Sequence, residues 1–167
     1  MNKKYFLIIL TLLVSLFIYL FYRTEKTIVT ALFINLISID SFKELQTNIR
    51  HLLPLNKYII YSLPEGLWVF CITLTSNFMF LKISDKKINL VYIPLIFVVV
   101  LEVFQLIQLT NGRFDFWDIG FSVVFWMLAN YVFSFKENTQ NIFKPFNLNS
   151  TICIASYLIV YLAHVWQ

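Results

Sequence analysis

Charge is scarce in this chain: Asp, Glu, Lys and Arg make up 13% of 167 residues, whereas 59% are hydrophobic. So little charge cannot coat a water-soluble domain of this size, and a mean hydropathy of +0.75 points the same way. Three glycines and four prolines are too few for long flexible linkers, and no segment is repetitive or of low complexity. A single domain spanning residues 1–167 is expected. Only two cysteines occur, Cys71 and Cys153, both inside apolar runs where a thiol behaves as a small hydrophobe. They imply no disulfide, no metal site and no cofactor. No HExxH or similar metal motif exists, and no His, Ser or Cys constellation accompanies the acids. The net charge of +4 does not point to nucleic acid, because the thirteen Lys and Arg residues are spread over every loop without forming a basic stripe. Such residues suit the flanks of membrane spans, where they pin helix ends at headgroups.

What is present is a series of apolar runs of membrane length. They predict an all-α integral membrane helical bundle of about five transmembrane helices, at residues 5–22, 58–81, 88–109, 116–135 and 150–166. The first run follows Lys3 and Lys4, lacks a small-x-small cleavage site and continues into Phe21, Tyr22 and Arg23, which reads as an uncleaved helix rather than a signal peptide. Residues 27–54 form an interfacial segment. Its apolar patch at 28–39 is too short to cross a ~30 Å hydrocarbon core. Ser41-Phe42-Lys43-Glu44 has the form of a capping box, and Phe42, Leu45, Ile49 and Leu52 follow at helical spacing until Pro54. Two readings are open for this short helix, one at the membrane surface and one packed on the bundle. A cytoplasmic N-terminus puts Lys3, Lys4, Lys82, Lys86, Lys87, Lys136 and Lys144 on the cytoplasmic side in short segments, although Arg23 and Lys26 at the end of the first helix argue the other way.

Carboxylates inside spans cost roughly 2.5 to 3.5 kcal/mol each on insertion scales, so they carry the functional expectation. Glu65 lies in Ser62-Leu63-Pro64-Glu65-Gly66-Leu67-Trp68. Either the helix kinks at Pro64 and frees carbonyls beside Glu65, or Pro64 sits in a first helical turn and Glu65 complements its dipole. Glu102 and Gln105, three apart, share a helix face that Gln108 continues toward the surface. After the turn at Asn111-Gly112, Arg113 precedes Asp115, a helix N-cap, and Asp118, which should face the bundle interior. A short connection makes the third and fourth spans antiparallel neighbours, so Glu102, Gln105, Arg113, Asp115 and Asp118 gather at one end of the bundle. Glu65 and Trp68 belong to the same end, and Arg50 and His51 are available there as cations. Three physical readings stand: an Arg113-carboxylate network, a cation held by oxygen ligands, or a pocket for the amine or hydroxyl groups of a lipid-linked molecule. His164, alone in the last span, fits helix packing better than ligation.

The order Glu102-x-x-Gln105, then Gly112-Arg113-x-Asp115-x-x-Asp118 heading an apolar helix, resembles the pattern of VanZ-like membrane proteins, named for a teicoplanin-resistance accessory protein. It covers roughly residues 58–132. The resemblance implies a small multi-helix protein of the cytoplasmic membrane, tied to glycopeptide or lipoglycopeptide resistance, with no established catalytic mechanism. The chain departs from the pattern at Ser122, where the family has Asn, and no Gly follows it. Pro64-Glu65-Gly66-Leu67-Trp68 also replaces a Lys and His pattern in the family's earlier span.

Three functions follow from these residues. The first is a non-enzymatic protein whose acidic cluster, Glu65, Glu102, Gln105, Arg113, Asp115 and Asp118 with Trp68, binds a lipid-linked or amphipathic ligand and alters envelope or glycopeptide sensitivity. The second is a membrane enzyme using a carboxylate as acid or base on a lipid headgroup. The third is an accessory subunit of a larger membrane complex, with structural acids.

Overall fold

The computed structural model describes residues 3–23, 28–109, 113–133 and 138–165, without the side chains of Ile28, Val29, Leu32 and residues 160–165. Gly112, Lys26, Lys136 and Trp166 therefore lie outside the described residues, as does the side chain of His164. The chain is mostly helical. Helix α1 (Lys3–Tyr22) is followed by α2 (Ile28–Ile37), α3 (Ile39–Leu52) and α4 (Lys57–Ser76). Strands β1 (Met79–Ile83) and β2 (Lys86–Asn89) lead into α5 (Ile93–Leu106), α6 (Phe116–Met127), β3 (Gln140–Asn141) and α7 (Leu148–Val165).

Helix α4 is the axis of the molecule. Of its most apolar stretch, 78% is buried, against 28% for α1, which turns Phe6, Ile9, Leu10 and Leu13 outward. By length and composition α1 and α4 are both long and apolar enough to cross a membrane. The stretches Leu90–Leu106 and Phe116–Val132 are shorter. At 1.5 Å per residue each spans about 25 Å, short of a ~30 Å core without bilayer thinning.

The long helices alternate in direction around α4. Lys4 lies over the Phe78 ring and Arg23 Nη2 donates to the Tyr61 carbonyl at 2.7 Å, so α1 and α4 are antiparallel. Trp126 Nε1 donates to the Val91 carbonyl at 2.8 Å, which sets α6 antiparallel to α5. Tyr5 donates to Asn149 at 2.7 Å, so α7 starts beside the start of α1. Helices α4 and α6 run side by side in one direction and approach most closely at Gly66. A Cβ there would meet Phe125 Cδ2 at 2.5 Å, so the missing side chain is what admits the ring.

Three expectations are corrected. The bundle is not purely α-helical, because the helix of residues 58–81 ends at Ser76 and residues 79–89 form a hairpin that joins β3 in a small sheet of order β2-β1-β3. Met79 and Leu81 on one strand face pack with Leu90, Ile142 and Cys153, which anchors the start of the hairpin to the core. Residues 27–54 hold two helices rather than one. The second is capped by Ser38, whose hydroxyl faces the Ser41 N–H, so Ser41 is not the cap. Helix α3 packs on the bundle: Phe42 is buried against Phe21, and Arg50 donates to the Phe21 and Tyr22 carbonyls at 2.7 and 3.2 Å. Arg50 thus caps the C-terminus of α1 and is not a partner for the acids. Helix α6 stops at Met127 and continues as a wider turn over Leu128–Val132, closed by the Phe133 N–H on the Leu128 carbonyl at 3.0 Å.

Candidate functional site

The site forms where α4, α5 and α6 meet, at the end of the bundle away from the sheet. Helix α4 begins at Lys57, with Asn56 as N-cap, so Pro64 stands well inside it and the first-turn reading fails. Proline offers no N–H and leaves the Ile60 carbonyl without its usual donor. One turn before Gly66 is Ser62, and next to Pro64 is Glu65. Both are buried.

Helix α6 brings Asp115, Asp118 and Ser122. The Asp115 carboxylate accepts from the Trp117 N–H at 2.9 Å, the N-cap its position predicts. Its own N–H donates to Glu102 Oε2 at 3.0 Å. Glu102 is 2% exposed despite standing near the end of α5. It closes the α5–α6 connection by anchoring the first residue of the next helix. Asp118 and Ser122, four apart, lie on one face of α6.

Glu65, Glu102, Asp115 and Asp118 lie within electrostatic reach of one another. Among the described residues the cation that acts on Asp118 is Arg23, at the C-terminal end of α1, stacked over Tyr19 at 4.3 Å. Arg113 is exposed and, among the described residues, makes no ion pair, so the Arg113-carboxylate network is not formed. Gln105 shares the Glu102 face as expected. Gln108 does not continue it, because α5 ends at Leu106 and Gln108 is exposed with φ 59°. Trp68 is buried on the core side, its ring edge-on to Phe97 with centroids 6.1 Å apart. It packs the floor rather than lining an opening.

Four oxygens at this end are buried and have no hydrogen-bond partner among the described residues: Ser62 Oγ, Gln105 Oε1, Asp118 Oδ1 and Ser122 Oγ. The Ser62 hydroxyl stands next to the Asp118 carboxyl, yet outside good hydrogen-bonding geometry. A lone buried orphan costs roughly 1 to 3 kcal/mol. Four at one junction of three helices make an acceptor-rich surface with bonding capacity left over. Phe125, seated on Gly66 and edge-on to Phe70, closes it toward the bundle centre. On the opposite side Tyr58 and exposed Trp117 flank it, with centroids 5.1 Å apart. Among the described residues no three His, Cys, Asp or Glu side chains converge to hold a metal ion.

Ser62, Ser122 and Arg23 are the members that sequence reasoning missed as site residues. The serines had a signal, the i, i+3 spacing of Ser62 to Glu65 and the i, i+4 spacing of Asp118 to Ser122, which puts each on the face of an acid. Arg23 had none, being brought in only by helix pairing. No protein-family model matches the chain, and no curated protein or solved structure is significantly similar to it.

Proposed function

We propose that the chain is a multispan protein of the cytoplasmic membrane, of VanZ-like type, that binds a lipid-linked or amphipathic ligand without turning it over. The binding group is the junction of Glu65, Glu102, Gln105, Asp115 and Asp118 with Ser62 and Ser122, and the effect is a change in envelope sensitivity to glycopeptide antibiotics. One observation carries the reading: buried oxygens of three helices, without a hydrogen-bond partner among the described residues, gather at the carboxylate end of the bundle. A structure-only acid network would use those atoms internally. Apolar α1 and α4, and outward-facing apolar residues on α5 and α6 such as Ile96, Val99 and Val124, support a bilayer setting, in which we propose five crossings. The shorter helices would then thin the membrane locally.

The test is glycopeptide susceptibility of cells carrying Glu102→Gln or Asp118→Asn. Glu102→Gln keeps an acceptor for the Asp115 N–H, so it preserves the fold while altering the charge. Both variants should reach the membrane at wild-type abundance and lose the protective effect. Full protection by both variants would sink the binding role of the acids.

A further inference from the structure

The opposite end of the bundle carries the second cluster of charge, and it is basic. In the β1–β2 hairpin Lys82 pairs directly with Lys87, both exposed. Like charges facing each other across strands are destabilising unless a counter-charge lies between or beside them, and the hairpin's one carboxylate, Asp85, stands in the exposed turn against three lysines. Period-2 alternation puts Phe80, Lys82, Lys87 and Asn89 on one face of the hairpin. That face borders a groove of about 190 Å3 lined by Asn77, Phe78, Phe80, Lys87, Asn89 and Thr139, with no carboxylate in its lining. Two ammonium groups stand over its aromatic walls: Lys4 over Phe78 and Lys87 over Phe80, each 5.2 Å from the ring centroid. The groove lies beside the ends of both membrane-length helices, since Lys4 is in the first turn of α1 and Asn77 follows the last residue of α4.

We propose that this groove takes the phosphate and adjoining polar group of an anionic glycerophospholipid. Lys82 and Lys87 supply the charge, and the side chains of Asn77, Asn89 and Thr139 supply neutral hydrogen-bonding groups. Cationic side chains at the end of a membrane-length helix sit at headgroup depth, where an anionic lipid is the most abundant counter-charge. The groove's size suits a headgroup rather than an acyl chain. The other hairpin face leaves Ile83 and Ile88 exposed, which fits contact with the interfacial layer.

The experiment is native mass spectrometry of the full chain in mild detergent, with equimolar phosphatidylglycerol and phosphatidylcholine of identical acyl chains. Retention of phosphatidylglycerol should exceed that of phosphatidylcholine by about five- to ten-fold. The preference should vanish in Lys82→Ala/Lys87→Ala and persist in Lys82→Arg/Lys87→Arg. Equal retention of the two lipids by the wild-type chain, or an undiminished preference in the alanine variant, overturns the proposal. Because the alanine variant removes a repulsive pair, it should melt no lower than wild type. Should it fail to fold, Lys87→Gln alone must still reduce the preference for the proposal to stand. Glycerol phosphate is added as a competitor to separate a lipid from a soluble phosphate. Displacement of the lipid at equimolar competitor overturns the lipid assignment.

Discussion

Helix α4 carries buried polar side chains toward both of its ends, and the two ends satisfy them differently. At the sheet end Thr75 bonds Ser156 at 3.0 Å, and Ser76 bonds Tyr157 at 3.0 Å. Cys153 lies 3.7 Å from the same Ser76 hydroxyl. These groups are used to join α4 to α7. At the carboxylate end Ser62 faces an acid without completing a bond, and Gln105, Asp118 and Ser122 also keep oxygens with no partner among the described residues. Thr73 likewise has no hydrogen-bond partner among the described residues, but it stands about 12 Å along the helix from Glu65, the nearest acid on α4. Polar groups that hold helices together are consumed by doing so, whereas polar groups held ready for a ligand stay incomplete until it arrives.

The contrast can be broken or sharpened by substitution. The largest effect is expected at the plug that separates the two ends. Gly66→Ala puts a Cβ 2.5 Å from Phe125 Cδ2, and overpacking of this kind costs about 1 to 3 kcal/mol. Thermal unfolding in detergent should show the loss, and Phe125→Leu in the same chain should recover part of it. Recovery would locate the strain at this contact; an unshifted melting temperature for Gly66→Ala would deny that the two helices meet there.

Next comes Tyr157→Phe at the sheet end, which deletes the bond to Ser76. Interhelical bonds of this type in membranes average about 0.6 kcal/mol with a maximum near 1.7, so a small drop in stability with unaltered antibiotic susceptibility is expected. A change in susceptibility at constant abundance would move the functional interest to the wrong end. Ser62→Ala should behave in the opposite way. It removes a buried hydroxyl that completes no hydrogen bond among the described residues, so stability should hold or rise by up to about 1 kcal/mol while protection falls. Destabilisation beyond that would mean that Ser62 is structural glue like Ser76.

The smallest effect is expected at Arg113, which is exposed and makes no ion pair among the described residues. Arg113→Ala should shift stability by less than about 0.5 kcal/mol and leave susceptibility untouched, whereas Arg23→Ala should impair it. Equal damage from both would return Arg113 to the site.

Local signals were legible where the physics is local. Asp115 was readable as an N-cap because a short acceptor before an apolar helix has a few unsatisfied N–H groups within reach. Glu102 was readable as buried because a carboxylate in an apolar run has few inexpensive places to go. The hairpin was not legible. Lys82-Ile83-Ser84-Asp85-Lys86-Lys87 looks like a charged loop, and its turn uses Ser84 at φ 54° rather than the Gly or Asn that announces a hairpin. The α3 cap was misplaced by three residues, since Ser38 and Ser41 offer similar hydroxyls and the packing of Phe42 on Phe21 chose between them.

By itself the sequence determined that this chain is a helical molecule with membrane-length apolar stretches and a lopsided set of acids. Run length and residue chemistry decide those properties without reference to distant parts of the chain. Only the tertiary structure decided that, among the described residues, the cation acting on Asp118 is Arg23 and not Arg113, that Arg50 is spent on a helix end, and that Ser62 and Ser122 join the carboxylates. Residues 23 and 118 become neighbours because α1 and α6 both pack on α4, and which partner a charge finds depends on helix pairing that no local pattern encodes.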